Sequence, residues 1–120
     1  MQLSKKKINP RIERQIFNVF YQVISDIGTT QEAKAFLENI LTRTELEALT
    51  KRLAVALFLE KGRSYDNIKN TLKVSSATVA TVAEQMKKGK GFEIALKKIR
   101  AEEWAGRWTK KISKLVKGGK

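Results

Sequence analysis

Ser76, Ala77, Ala80, Thr81, Glu84 and Gln85 fall on one outward side of a helix if the chain is helical from Ser76 to about Lys88. These side chains are small or polar, and only Glu84 carries a charge. A helix of that kind can sit deep in a DNA major groove, because bulky side chains would hold it away from the base edges. Ser and Thr hydroxyls can bond several bases, an amide such as Gln85 pairs with adenine, and a carboxylate such as Glu84 accepts from cytosine. The helix has no arginine, so the commonest guanine contact is missing. Part of any selectivity is then expected from water, DNA shape or a paired half-site. Lys69, Lys73, Lys87, Lys88 and Lys90 flank this face, with Asp66 and Glu84 as the acids among them. Lysines so placed would neutralise phosphates and fix the register of the helix on a duplex.

Bond-making chemistry has little to work with. The chain has no cysteine and no histidine. Disulfides, thiolate metal sites, cysteine nucleophiles and the commonest general base are thereby excluded. Glu45, Glu47, Asp66 and Glu84 form no paired-carboxylate set, and acids on helix surfaces are usually just solvated. No enzyme activity, cofactor or metal is expected. At 120 residues and 13.6 kDa, one domain with one core is expected. The apolar stretches, such as Leu53 to Leu59, are too short to span a bilayer, and the lysine-bearing amino terminus has no apolar run behind it. A cytoplasmic location fits these features.

The net charge of +13 is unevenly placed: residues 1–14 carry +4, residues 15–84 balance, and residues 85–120 carry +9. Solubility alone needs only about 2 to 8 charges, so a polyanionic partner is indicated, with nucleic acid first. A membrane-surface helix would need a continuous apolar face beside the basic one.

The elements that must hold the Ser76–Lys88 face read as helices throughout. Asn9 caps the first and Pro10 suits its first position, where a missing N–H costs nothing. Ile16, Phe17, Val19, Phe20, Val23, Ile24 and Ile27 wrap more than one stripe, which calls for burial on several sides and suggests a partner chain. Gly28 is the expected stop. Thr29 with Glu32, and Thr42 with Glu45, have capping-box spacing for the second and third helices. Ala33, Phe36, Leu37, Ile40 and Leu41 line the second, and Leu46, Leu49, Leu53, Val55, Ala56, Leu57 and Leu59 carry the third to Gly62. Ser64 caps a short helix over Tyr65–Leu72, Lys73-Val74-Ser75 breaks it, and Val79, Val82, Ala83 and Met86 are the inner side of the next. Two short helices joined this way form a helix-turn-helix pattern, although the turn lacks the usual glycine.

The resulting expectation is an all-α domain over 1–120. It comprises a basic arm (1–9), dimerisation and core helices (10–61), a helix-turn-helix (64–88) and a basic carboxy-terminal helical segment (92–117). In that last segment Phe92, Ala95, Leu96 and Ile99 make one stripe and Trp104, Trp108, Ile112 and Leu115 another. The five-residue step between the stripes predicts a kink or break near Arg100-Ala101. Its other side is basic through Lys97, Lys98, Arg107, Lys110, Lys111, Lys114 and Lys117. The segment is expected to pack on the core with its basic back toward a nucleic-acid backbone.

The run Leu41-Thr-Arg-Thr-Glu-Leu-Glu-Ala-Leu-Thr-Lys-Arg52 is followed by Gly62, Ser64-Tyr65, Ile68-Lys69-Asn70, Leu72 and Ser75-Ser76-Ala77-Thr78-Val79. This ordered set resembles the tryptophan-repressor-like superfamily, and Gly91-Phe92-Glu93-Ile94-Ala95-Leu96 is similar to its YerC/YecD branch of bacterial regulators. The resemblance covers roughly residues 12–99. It implies an intertwined homodimer whose two helix-turn-helix units read successive major grooves of double-stranded DNA. It places Lys69, Ser75, Ser76, Ala77 and Ala80 at the DNA, with Thr78 between them in the same motif. The tryptophan repressor clamps its amino acid with two arginines. By the resemblance, Arg52 matches the first, whereas Thr81 stands at the second and Val82 at the small residue after it. The clamp is half absent, which implies that this chain does not sense tryptophan and leaves other effectors open. The competing expectation is a non-specific RNA- or nucleoid-binding protein that works through its basic ends.

Overall fold

A computed structural model describes residue 3 and residues 5–106. Among these the chain is all-α, with six helices: α1 (Pro10–Asp26), α2 (Thr30–Ile40), α3 (Arg43–Glu60), α4 (Tyr65–Leu72), α5 (Ser76–Lys88) and α6 (Gly91–Trp104). They group into two compact units that divide after Thr42.

In the first unit, the helix starts follow their local chemistry. The Asn9 side-chain oxygen accepts from the N–H of Arg11 at 2.8 Å and of Ile12 at 3.4 Å, with Pro10 opening the helix. Thr29 Oγ1 accepts from Glu32 N at 3.1 Å. Glu32 returns its carboxylate to the N–H of Gly28 at 3.2 Å rather than to the cap residue itself, so the box closes one residue earlier than expected. Gly28 is not the helix stop. Helix α1 ends at Asp26 and the chain leaves through Ile27 in an extended conformation, its N–H still bonded back to Val23 and Ile24. Phe20 and Phe36 bring α1 and α2 together at 6.0 Å between ring centroids. Neither helix has a buried residue. Ile16, Phe17, Val19 and Tyr21 are each more than half exposed, so this part of the apolar surplus in α1 is covered by no neighbour among the described residues of the unit.

The second unit holds the buried cluster: Val55, Ala56, Leu57 and Phe58 from α3, Ile68 from α4, Val79 and Val82 from α5, and Leu96 from α6. Helix α3 packs against α4, α5 and α6, α4 packs against α5, and α5 packs against α6. The carboxy-terminal half of α3 is thereby enclosed, which is why four successive residues are buried and no single stripe marks it. Phe58, absent from the sequence-based core, is 2% exposed, and the Arg63 guanidinium lies 5.6 Å from its ring centroid. Leu49 and Leu53, expected inside, stand 48% and 38% exposed, because the amino-terminal half of α3 projects beyond this cluster. Gly62, at φ +81°, ends α3 in the left-handed region, and Arg63 N–H closes back on the Phe58 carbonyl.

Helix α6 contradicts the expected break at Arg100-Ala101 and runs unbroken to Trp104. Arg100 is held from two sides, by Glu93 on its own helix at 2.6 Å and by Glu60 at the end of α3. The hydrogen bond that Arg100 donates to Glu93, then the charge of Glu60, hold its pKa above the ordinary arginine value. Lys61 adds a pair to Glu103 at 2.7 Å. These three acids pin α6 across the point where the apolar stripe changes side. The helix stops instead at Ala105 and Gly106, the latter at φ +83°. Leu96 is buried and Phe92 and Ile99 pack on the core as expected, but Trp104 is 93% exposed and anchors nothing among the described residues. Trp108, Ile112, Leu115 and the basic residues from Arg107 onward lie outside the described residues.

Candidate nucleic-acid interface

Helices α4 and α5 have the boundaries their caps dictate. Ser64 Oγ accepts from Asn67 N, and Ser75 Oγ accepts from Thr78 N, both at 3.1 Å. Between them, Lys73 takes the left-handed position that a glycine would commonly fill, at φ +56° and ψ +53°. The Val74 N–H bonds back to the Lys69 carbonyl, closing the end of α4, and Val74 packs on the core. Lys51 Nζ reaches the Lys73 carbonyl at 3.4 Å, so α3 also braces the turn. A side chain in the left-handed region costs roughly 1 kcal/mol. Lys73→Gly is therefore expected to leave the turn in place and to raise stability by up to about 1 kcal/mol, less the extra chain entropy of glycine. Urea denaturation checks this, and a loss of stability would show that the lysine itself holds the turn.

Ile68, Val79 and Val82 enter the core and fix the angle at which α5 is presented. Ser76, Ala77, Ala80, Thr81, Glu84 and Gln85 all lie exposed on its other side. Lys73, Lys87, Lys88 and Lys90 are exposed and Lys69 is half-buried. Two pairs of candidates already have structural work. The Ser75 hydroxyl is the cap of α5 and lies 3.0 Å from Thr78 Oγ1, and Thr78 is half-buried. Glu84 pairs with Lys88 one turn on, at 3.5 Å. Both are well exposed, so this pair is worth only a few tenths of a kcal/mol and would yield to a duplex.

A cavity of about 320 Å³ opens beside this face, lined by Arg52 of α3, by Ala77, Thr78, Thr81, Val82 and Gln85 of α5, and by Phe92 of α6. Sequence reading found Arg52, Thr81 and Val82 but not Phe92, because the α6 wall is set by packing. The Arg52 side chain is exposed, and no hydrogen bond or ion pair to it occurs among the described residues.

The arrangement of a capped α4, a three-residue turn and a polar-faced α5 is a helix-turn-helix. The family model of the Trp repressor protein matches residues 15–100. The chain belongs to that family. The Trp repressor family is one of DNA-binding helix-turn-helix regulators, not a family of enzymes. Within it, the chain is 26% identical over 91 residues to Uncharacterized protein YerC of Bacillus subtilis (strain 168), a match spanning 75% of this chain and 86% of that protein. This places it in the YerC-type branch of the Trp repressor family. No solved structure matches it. Among the described residues no helix is long and apolar enough to cross a membrane.

Proposed function

We propose that this protein is a cytoplasmic, sequence-selective DNA-binding regulator that works as a homodimer and reads the major groove with α5. The observation that carries the reading is the exposed Ser76, Ala77, Ala80, Thr81 and Gln85 face, flanked by lysines and presented by a helix-turn-helix whose inner side is locked in the core. The dimer is supported by α1, which leaves Ile16, Phe17 and Val19 to water in a way a second copy would correct. Residues 1–120 then act as one module: arm (1–9), dimerisation and core helices (10–61), reading head (64–88) and basic carboxy-terminal segment (92–117). Two reading heads in a dimer need half-sites about one helical turn apart, on the order of 34 Å. Thr81 in the cavity leaves a single arginine where a carboxylate clamp would need two, so tryptophan is not the expected effector.

In this reading lysines position the protein and polar residues specify the site. Lys69→Ala or Lys87→Ala should weaken binding to every duplex alike and lower the salt dependence by about one phosphate's worth each. Ser76→Ala or Thr81→Ala should instead change which sequence is preferred. Selection of bound oligonucleotides from a random pool at near-physiological salt, repeated with the four variants, checks both. The concentration of charge at the two ends, +4 and +9, supports a second reading as a general RNA or nucleoid binder. That reading gains if the pool yields no preferred sequence and removal of residues 100–120 abolishes binding.

A further inference from the structure

The geometry points to Arg52 as a clamp for a backbone phosphate of the bound duplex, seated in the mouth of the α3–α5–α6 cavity. This assignment rests on α5 being the groove-facing helix. Three features of the cavity carry it. First, Thr81 and Gln85, which line the cavity, also belong to the exposed side of α5, so cavity and reading face open to the same side. Second, the polar groups lining it are a guanidinium, the two hydroxyls of Thr78 and Thr81 and an amide, beside the apolar Ala77, Val82 and Phe92. Those groups can all donate to an oxyanion, and no acidic side chain lines the cavity. Third, the Arg52 guanidinium has no hydrogen bond or ion pair among the described residues, while its backbone lies only three residues before the buried Val55–Phe58 segment. It is a fork donor on a rigid base, the arrangement that suits a bidentate phosphate contact.

Magnitudes decide between a phosphate of DNA and a free small anion. One exposed cation attracts one anion in water by about 1 kcal/mol or less, too weak to hold a free metabolite. A phosphate within a duplex is positioned by its neighbours on α4 and α5, and its neutralisation releases a condensed counterion. The same guanidinium is thus weak toward a dissolved anion and effective toward one delivered by the duplex. Binding would then require no co-ligand in the cavity.

The test uses the full chain and a random-sequence duplex, so that it does not depend on any preferred operator. The slope of log affinity against log salt is measured for the unaltered protein, Arg52→Gln, Arg52→Lys and Lys69→Ala, with chloride the only small anion present. Arg52→Gln should reduce the slope by about 0.9 and lower affinity about tenfold. Arg52→Lys should keep the slope, since the charge remains, and lose part of the affinity. Thermal melts should coincide, because the side chain is exposed. An unchanged slope in Arg52→Gln beside a reduced one in Lys69→Ala overturns the phosphate clamp and leaves the groove reading standing. Unchanged slopes in both overturn both. Calorimetric titration with inorganic phosphate and with tryptophan forms the second arm. Micromolar, Arg52-dependent binding of either, together with an unchanged slope, makes the cavity a free-anion site and ends the proposal.

Discussion

Ala80→Glu is expected to reduce duplex binding by at least about 100-fold while the protein stays folded. Ala80 is exposed on α5, lines no part of the Arg52 cavity and caps nothing. A glutamate there adds both length and negative charge at the centre of the face assigned to the bases. The length holds the helix off the base edges, and the charge meets the phosphate walls of the groove. In the free protein the same substitution is mild, since exposed helix positions tolerate such changes within about 0.5 kcal/mol. Fluorescence titration of a labelled duplex beside a circular-dichroism melt separates the two effects. Retained binding would show that α5 does not face DNA, whatever the lysines do.

Phe58→Ala is expected to cost about 3 to 5 kcal/mol of folding stability. The Phe58 ring is 2% exposed and is among the largest side chains of a cluster that joins α3, α4, α5 and α6. Typical domains are stable by only 5 to 15 kcal/mol, so a loss of this order leaves a substantially unfolded population. Leu49→Ala on the same helix serves as the contrast, because Leu49 is 48% exposed and should cost far less. Urea denaturation midpoints of the two variants should therefore differ widely. Similar midpoints would mean that the core is not centred on the carboxy-terminal half of α3.

What could be read in the sequence was the chemistry that acts over a few residues. Asn9, Thr29 and Ser64 each bond an N–H two or three residues ahead, so their positions alone located three helix starts, whereas Ser75, read only as part of a break, proves to cap α5 in the same way. The outward and inward sides of α5 followed from helical spacing for the same reason. Most of the failures involve partners far along the chain. Arg100 lies in an unbroken helix and pairs with Glu60, forty residues earlier, and no local pattern announces that pair. Phe58 escaped because enclosure from several sides erases the stripe that marks a core face. Lys73 could be identified as a turn residue, but its left-handed backbone could not, since propensity favours glycine or asparagine there. Phe92 joined the cavity only through the packing of α6.

Helices α1 and α2 bury no side chain of their own, and this has a thermodynamic corollary. Short helices without a packed face are marginal in water. In the homodimer proposed above, their order would be linked by mass action to the amount of protomer present. Dilution would loosen residues 10–40 and separate the paired reading heads in the same step. Occupancy of a two-half-site operator by such a dimer would accordingly rise more steeply than in proportion to protomer concentration, which would amount to a dosage threshold.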